Sequence, residues 1–546
     1  MPFNNLTPLS RKRKLQWLLV IVLAAFVLRS PAFVNPIIDE DEAWYAVAAN
    51  MMNHGGLLYQ DTVDLKPPLI FYLYSWCFSI FGYDLRTLHV LTVFWVLATA
   101  WMIARILRYL DTDANAAWLT AYLYVLFTPT FVPQALATNC EIVMNLPLAA
   151  SMLFFLKAER AKPHLGARLK ISPLRGVCSW AKTSLKFNLF LSGALCSLAF
   201  LVKYQSGILL GVFLFYIFYI LIAKPILTKK WSMPTALVQS VMAIAGFAAV
   251  LAALYGIFQH LGNWEDFYFW GWQYNFTFMS GMTWEFFFKR FFAMTPRFIL
   301  VWIILWVFAF AAIKKTLRHP REISTARHLM ILWLTGSAVA VCAGGKFFGH
   351  YYIQLLPPLV ILAAQALSEW RQKSAALKFA NWKRGFVLAA IVLPPTIYLI
   401  VNWQVELKRM THEHQLFRML AEDVRQQTSE ADKIFVWGRM PELYYFSQRL
   451  PASRFITCNF VVGMTTYNYD DREARMVDAG FSRAGELLLK DLQHNRPKLI
   501  IDTSPLDFRQ YGKYPVSAFP RLQDFLRENY RALKNSSGLE IYEARF

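Results

Sequence analysis

Long apolar runs recur along the first three quarters of the 546-residue chain, and short polar connections separate them. Each of eleven runs is close to the ~17–25 residues that an α-helix needs to cross a bilayer. The pattern therefore predicts membrane-spanning helices at 15–34, 85–107, 114–132, 141–157, 187–202, 206–223, 236–259, 298–313, 328–344, 352–368 and 385–403. A further apolar segment, 69–81, is too short to span and is predicted to be an interfacial helix.

The pattern changes at about residue 404. The segment 404–546 contains 21 Lys/Arg and 19 Asp/Glu, a balance typical of soluble domains. Strand-like runs at 433–437, 454–458, 498–502 and 539–543 alternate with helical patterns at 484–494 and 518–529. This alternation predicts a small α/β layer domain. The chain is thus predicted to be a polytopic α-helical membrane protein with two domains, 1–403 and 404–546.

The composition agrees with a membrane protein, since only 17% of the residues are charged, against about 25% in soluble domains. The net charge of +21 resembles that of a nucleic-acid-binding protein, but its distribution argues against such a partner. With the N-terminus in the cytoplasm, the inner segments and the three adjoining residues of each span hold 27 Lys/Arg, and the outer segments between spans, counted in the same way, hold seven. This asymmetry follows the positive-inside rule. An odd number of spans then places 404–546 outside the cytoplasm.

Cysteine usage excludes two further classes of site. The chain has six Cys and no Cys-x-x-Cys pair. This pattern excludes a disulfide scaffold and a zinc ribbon.

The first predicted outer loop begins with four adjacent acids, Asp39, Glu40, Asp41 and Glu42. They precede a helical pattern, 43–53, that ends at two glycines. Carboxylates at a helix start can cap the helix and complement its dipole. Four in a row exceed what a cap needs, so a general base or metal ligands are the alternative.

Lys66 is the first basic residue after this acidic group, and two prolines follow it. Proline after Lys66 favours an extended backbone, and either Pro67 or Pro68 can open the interfacial helix. Lysine at a helix N-terminus suits a phosphate, because the first helical amides add donors. The alternative is a lysine whose ammonium snorkels to the lipid headgroups.

Other polar residues lie at the outer ends of predicted spans. They are Arg29, Glu141, Lys203, Lys346, His350 and Tyr351. A single acid at such a position is often interfacial, and a single histidine is more often structural than catalytic. Cations are scarce on the outer side, so the presence of each one requires an explanation. Together they predict an outward-facing polar site at the membrane boundary, acidic on one side and cationic on the other. Such a site suits a substrate phosphate and an acceptor hydroxyl.

The first loop resembles the signature of family 39/83-type membrane glycosyltransferases. Residues 41–46 read Asp-Glu-Ala-Trp-Tyr-Ala, and 66–69 read Lys-Pro-Pro-Leu. The stretch 349–357, Gly-His-Tyr-Tyr-Ile-Gln-Leu-Leu-Pro, is similar to a late signature of bacterial members. This family includes protein O-mannosyltransferases and aminoarabinose transferases acting on lipid A. The resemblance covers roughly 30–370 and implies the GT-C fold and inverting transfer from a polyprenyl-phosphate sugar on the periplasmic face.

The resemblance also implies residue roles. Asp41 matches the first-loop catalytic aspartate, Glu141 the second acidic position near the acceptor, and Lys66 the phosphate-contacting lysine. In aminoarabinose transferases an acid precedes that lysine, whereas here Leu65 does and Asp64 stands one place earlier. The candidate catalytic residues are Asp41, Glu42 and Glu141, and the candidate substrate-binding residues are Tyr45, Lys66, Lys203, Lys346, His350 and Tyr351.

The sequence thus predicts a glycosyltransferase of the bacterial inner membrane. A polyprenyl-phosphate-linked sugar is the expected donor, and a cell-envelope glycan or lipid A of lipopolysaccharide is the expected acceptor. No cofactor is required by this chemistry, and involvement of a divalent metal stays open. The alternatives are a transporter or flippase of lipid-linked sugars, or a glycan polymerase or ligase. Transporters usually place charge near the bilayer midplane, whereas the unexplained charges here gather at one predicted face.

Overall fold

Helices dominate the protein from its first described residue. The computed structural model describes residues 10–110, 114–160, 175–223, 233–279, 281–319, 325–376, 381–467, 483–533 and 538–545. The helices of the first half are α1 Arg11–Arg29, α2 Glu40–Asn53, α3 Leu69–Phe81, α4 Leu85–Ile106, α5 Ala114–Phe127, α6 Cys140–Arg160, α7 Arg175–Phe200, α8 Ile208–Ala223 and α9 Met233–Leu261.

The second half continues with shorter and longer helices in turn. They are α10 Trp264–Asp266, α11 Tyr274–Met279, α12 Trp284–Val301, α13 Ile303–Arg318, α14 Thr325–Cys342, α15 Leu356–Ala376, α16 Asn381–Thr411, α17 Glu413–Gln427, α18 Pro441–Ser447, α19 Asn459–Val462, α20 Arg483–Asn495 and α21 Pro520–Asn529. A π-helical stretch, Phe267–Gln273, joins α10 to α11.

Ten of the eleven predicted spans overlap a single helix of the structure, whereas the predicted span 298–313 runs across the break at Trp302 between α12 and α13. In the described residues seven helical segments are long and apolar enough to cross a membrane, and α12 with α13 makes an eighth although the two are bent by 84°. The predicted spans 114–132, 206–223 and 328–344 correspond to shorter apolar helices. The protein therefore has the helical membrane architecture that the apolar pattern predicts, and the count of eleven crossings stays a prediction.

The interfacial segment is confirmed as a helix with the predicted bounds, Leu69–Phe81. Pro68 stands at its N-cap, and Gly82 ends it with φ +88°. Glycine adopts this left-handed backbone readily, whereas a side chain would strain it. These two residues explain why the sequence specifies both ends of α3.

The chain forms two compact units. Unit 1 contains the described residues within Met1–Pro31, His89–Gly256 and Arg290–Trp403, and unit 2 those within Ala32–Leu88, Ile257–Lys289 and Gln404–Phe546. The C-terminal segment 404–546 thus shares its unit with the first-loop segment and with 257–289. The predicted division into domains 1–403 and 404–546 remains a prediction about independent folding.

Unit 2 contains a four-stranded mixed sheet. Its strands are β1 Ile434–Trp437, β2 Leu499–Asp502, β3 Tyr530–Leu533 and β4 Glu540–Ala544. The order is β1-β2-β4-β3, with β1 parallel to β2 and the other two pairs antiparallel. Helices α20 and α21 agree with the predicted helical patterns, so the α/β character of this segment is confirmed.

Two details of the sheet differ from the prediction. The segment 454–458 is not a strand, because its backbone groups bond elsewhere: the Arg454 amide donates to Asp491, and the Cys458 amide donates to the carbonyl of Gly438. The sequence pattern does not predict β3, since this strand follows α21 directly and no turn residue separates the two. The predicted α/β class is correct, although β3 is present instead of the predicted strand 454–458.

Two helices of unit 1 touch through their backbones. A Cβ added to Gly193 of α7 would lie 1.9 Å from the carbonyl oxygen of Ala243. A Cβ added to Gly246 of α9 would lie 1.8 Å from the carbonyl oxygen of Phe190. Small residues at membrane helix interfaces allow this close approach, and packing of this kind drives helix association where both lipid and protein are apolar.

This contact generates a stability prediction for α9. Gly246→Ala should lower the free energy of unfolding by about 1–3 kcal/mol, because the added methyl group overpacks the interface. Gly256→Ala is the matched control, since nothing lies within 4 Å of its added Cβ. Thermal unfolding of the detergent-solubilised variants measures both. Equal unfolding temperatures for the two variants would contradict the backbone contact.

Candidate functional site

The four acids of the first loop separate into different environments. Asp39 stands at the N-cap of α2 but makes no capping hydrogen bond with its side chain, and the other three acids form the first helical turn. Glu40 pairs with Arg439, whose Nε lies 2.6 Å from its Oε1. Glu42 is buried and accepts a hydrogen bond from the amide of Ile38 at 3.0 Å. Glu42 therefore has a structural contact, and its predicted catalytic role stays a prediction.

Asp41 is the acid that faces Lys66. The Nζ atom of Lys66 lies 3.0 Å from Oδ1 of Asp41. The hydroxyl of Tyr45 donates to Oδ2 of Asp41 at 3.3 Å, and the Lys66 ammonium sits 4.6 Å from the centre of the Tyr45 ring. About a third of each charged side chain is exposed, 30% for Lys66 and 33% for Asp41. The structure thus brings together three predicted site residues. Two of them, Asp41 and Lys66, form an ion pair that a solute can reach.

The backbone around Lys66 is held from several sides. The Lys66 amide donates to Asp64 at 2.9 Å, and the Lys66 carbonyl accepts from the Tyr59 hydroxyl at 2.6 Å. The carbonyl of Leu65 accepts from the side-chain amide of Asn275 at 2.8 Å. Tyr59 is itself fully buried and packs on aromatic rings of 257–289. These contacts fix the backbone from which the Lys66 side chain extends.

Burial shifts the ionisation of two acids in this loop. Burial, reinforced by repulsion from Asp41, Glu42 and Glu40, raises the pKa of Asp39 to about 8. Burial also raises the pKa of Asp64, although Lys66 opposes the shift. Asp39 is therefore largely protonated at neutral pH.

The sequence leaves a divalent metal open. In the described residues, no three His, Cys, Asp or Glu side chains are grouped so that they could hold an ion. Asp41 has Lys66 as its cation instead. Leu65 occupies the position directly before Lys66, so no acid stands there, and the involvement of a metal stays open. No chemical step is assigned to a metal.

A second carboxylate–lysine pair lies in unit 1. Lys203 forms a close ion pair with Glu141, and its ammonium sits 3.4 Å from the centre of the Tyr351 ring. Nε2 of His350 lies 4.0 Å from Oε1 of Glu141. Only 2% of the Glu141 side chain and 13% of the Lys203 side chain are exposed. Four predicted site residues are thus gathered in one cluster, which is much less accessible than Asp41.

The remaining two candidates differ from each other. Lys346 is half-buried in the connection from α14 to α15, the same connection that carries His350. Arg29, expected from the sequence at the outer surface, is instead buried and donates to the carbonyls of Ala135 and Leu136. A guanidinium can satisfy two adjacent carbonyls in this way, so the function of Arg29 is to stabilise that turn.

Several residues of this site are not identifiable from the sequence alone. Tyr59 and Asn275 hold the Lys66 loop, while Arg439 and Arg509 contact the acids of α2. The two asparagines of the aromatic segment 257–289, Asn263 and Asn275, are the one local signal. No local signal identifies Arg439 and Arg509, because arginine is common in a soluble segment and their partner, Glu40, lies far away in the sequence.

Comparison with known proteins supports the fold. A scan of protein-family models and a search of curated proteins returned no match. Among solved structures, ArnT from Cupriavidus metallidurans bound to undecaprenyl phosphate is similar over 98% of both chains, with a TM-score of 0.61 and 12% identity. An oligosaccharyltransferase from Archaeoglobus fulgidus, tethered with an acceptor peptide, is similar over 98% of this chain and 74% of its own, with a TM-score of 0.56 and 14% identity.

The archaeal enzyme AglB from the same organism, in complex with an inhibitory peptide and a dolichol-phosphate, gives a TM-score of 0.52 at 14% identity. That match covers 98% of this chain and 75% of the AglB chain. These likenesses extend over nearly the whole of this chain and concern its fold. The chain therefore has the GT-C membrane-protein fold that the first-loop motifs predict.

Proposed function

We propose that this protein is a glycosyltransferase that moves a sugar from a polyprenyl-phosphate donor to an acceptor hydroxyl or phosphate of the cell envelope, with inversion at the sugar carbon. The single observation that carries the proposal is the accessible pair of Asp41 and Lys66, 3.0 Å apart, in a GT-C fold. A carboxylate beside a cation offers both groups that transfer from a phosphate ester uses. Neighbours of the same fold bound to undecaprenyl phosphate or dolichol-phosphate support a polyprenyl-phosphate partner.

The reaction assigns separate tasks to the two groups. The donor phosphate binds to the ammonium of Lys66, which the Tyr45 ring and the loop contacts hold in place. Asp41, released from Lys66, accepts the proton of the acceptor hydroxyl as its oxygen bonds to the anomeric carbon. The bond from that carbon to the phosphate oxygen breaks, and Lys66 stabilises the charge on the departing phosphate.

No general acid is needed in this scheme. A phosphate is already a good leaving group, in contrast to the alcohol that leaves in glycoside hydrolysis, where two carboxylates are required. One accessible carboxylate and one accessible cation therefore suffice. This requirement matches the residues around Asp41.

Exposure favours Asp41 over Glu141 as the base. Glu141 is almost fully buried and already neutralised by Lys203, so a hydroxyl proton has little access to it. Removing one member of a buried ion pair typically costs about 3–5 kcal/mol, which suits a structural pair. The predicted contacts of Glu141, Lys203, Lys346, His350 and Tyr351 with the substrate remain proposals.

The proposal places the reaction on the periplasmic face of the inner membrane. The support is the excess of Lys/Arg in the predicted cytoplasmic segments. Alkaline phosphatase fused after Phe546 should be active, because this enzyme folds only outside the cytoplasm. The same reporter placed after Ser374, in a predicted cytoplasmic connection, should be inactive. The reverse pattern would contradict the orientation and the periplasmic reaction.

Lys66→Ala should weaken use of the donor. Loss of a charge-assisted contact worth about 1.5–3 kcal/mol corresponds to a roughly 10- to 100-fold higher donor KM. Lys66→Arg should recover part of the loss, since arginine also binds phosphate but with another geometry. Steady-state kinetics over a wide donor range gives both values. A normal rate for Lys66→Ala at every donor concentration would assign Lys66 to the lipid interface instead.

Asp41→Asn should bind the donor and transfer almost nothing. Removal of a positioned base typically lowers the rate about 10²–10⁴-fold, while asparagine keeps the size and polarity of the first helical turn. A donor-binding assay and a turnover assay on the purified variant separate the two effects. Near-normal turnover would reject Asp41 as the base and move the assignment to Glu42 or Glu141.

Asp39→Asn is the matched control for Asp41→Asn. It should retain most activity, because asparagine resembles the protonated acid that Asp39 is at neutral pH. Product analysis by mass spectrometry identifies the reaction class in the same assays. Movement of intact lipid-linked sugar across the membrane, without free polyprenyl phosphate, would favour a flippase.

A further inference from the structure

The sheet of unit 2 has a polar edge where its two parallel strands end. Trp437 and Asp502 pair at the carboxyl ends of β1 and β2. Arg439 follows β1 after one glycine, and Arg509 lies in the loop after β2. In open α/β sheets, ligands bind at the carboxyl ends of parallel strands. Both arginines thus emerge at the edge that such domains use for binding.

The acidic start of α2 occupies this edge. Arg439 Nε donates to Oε1 of Glu40 at 2.6 Å, and Arg509 Nε lies 3.5 Å from Oε2 of the same carboxylate. Two cations therefore bind the two oxygens of one acid, and we call this three-residue contact the arginine clamp. Glu40 is the first residue of α2, and Asp41 is its neighbour in the same helical turn. The clamp thus acts on the turn that carries the proposed base.

The clamp is anchored on its far side. Arg509 donates from Nη2 and Nη1 to the two carboxylate oxygens of buried Glu442, at 2.6 and 3.1 Å. Its Nη1 also donates to the carbonyl of Arg439 at 2.9 Å. Paired hydrogen bonds of this kind fix the plane of a guanidinium. Arg509 consequently holds a defined orientation toward Glu40.

The loop that presents Arg509 has a strained backbone. Asp507, Arg509 and Gln510 have φ angles of +45°, +55° and +59°, in the left-handed region. Residues other than glycine adopt this region at an energetic cost, and such strain concentrates where function requires a particular geometry. The carboxylate of Asp507 supports the turn by accepting from the Gly512 amide at 2.8 Å. Contacts on both sides therefore stabilise this conformation.

We propose that Arg439 and Arg509 are positioning residues, which fix the first turn of α2 so that Asp41 is directed toward Lys66 and the reacting hydroxyl. The inference rests on the proposed function, and it assigns the C-terminal segment a role in that reaction. Asp39 makes no side-chain cap at this helix start, so the clamp supplies part of the missing support. A displacement of about 1 Å at a reacting group can lower a rate ~10²-fold.

The experiment compares Glu40→Gln, Arg439→Gln and their double variant in the full-length protein. Each single substitution should lower kcat by roughly 10- to 100-fold and leave the donor KM unchanged, because Lys66 keeps its own contacts. The double variant should lose no more than the more damaging single one, since both changes break the same contact. Arg439→Lys should restore part of kcat.

Controls separate positioning from general damage. Glu40→Gln leaves the pair of Arg509 with Glu442 intact, so an unfolding temperature near that of the wild type is expected. Arg531→Gln removes an arginine of the same sheet that pairs with Glu543 and whose own side chain is 65% exposed. This control should have the kcat of the wild type, because exposed pairs contribute little.

The outcomes distinguish this inference from the function on which it rests. Unchanged kcat in Glu40→Gln and Arg439→Gln would overturn the inference, and so would losses that multiply in the double variant. If Asp41→Asn is inactive while the clamp variants are fully active, only the positioning role fails. If Asp41→Asn is fully active, the proposed base itself is wrong, whatever the clamp variants do.

Discussion

The ion pair between Asp41 and Lys66 is the interaction on which the candidate site of unit 2 depends. Hydration stabilises the separate charges of lysine and aspartate. A pair at 3.0 Å whose side chains are still about one-third exposed therefore depends on rigid surroundings. Tyr45 supplies a ring and a hydroxyl, and Tyr59 and Asn275 fix the loop backbone. Neutral residues thus hold the pair in place, and it remains open to solvent.

Charged side chains are paired in different environments in the two units. In unit 1, Glu141 and Lys203 neutralise each other in a buried environment, where an unpaired charge would be expensive. In unit 2, the acids of α2 have different partners, which are Lys66, the two arginines Arg439 and Arg509, and a backbone amide. Lys66, the partner of Asp41, is 30% exposed and sits over the Tyr45 ring, so this pair combines access to solvent with an aromatic support.

Much of the architecture follows from local sequence. A bilayer imposes a length of about twenty apolar residues on each span, so the runs predict helices directly. Proline and glycine define α3 for the same local reason, and the motif at Asp41 and Lys66 predicts two members of the accessible pair. For Lys203 and Glu141 the sequence predicts separate contacts, although the fold pairs them with each other.

Other features depend on distant partners and have no local pattern. The segment 454–458 looks like a strand, yet Asp491 and Gly438 take its backbone groups. Strand β3 has an ordinary sequence and forms because β4 offers it a partner. Arg439 and Arg509 become identifiable as partners of Glu40 only once the strand ends are brought beside α2.

The clamp also has a consequence for the order of biosynthesis. Glu40 and Arg439 are separated by 399 positions. At roughly 5–20 residues per second, a ribosome needs on the order of 20–80 s to make the intervening chain. During that interval the acids of α2 are already synthesised while their arginine partners do not yet exist. The first turn of α2 can therefore reach its final arrangement only near the end of translation, so the proposed base is positioned only after nearly the whole chain has been made.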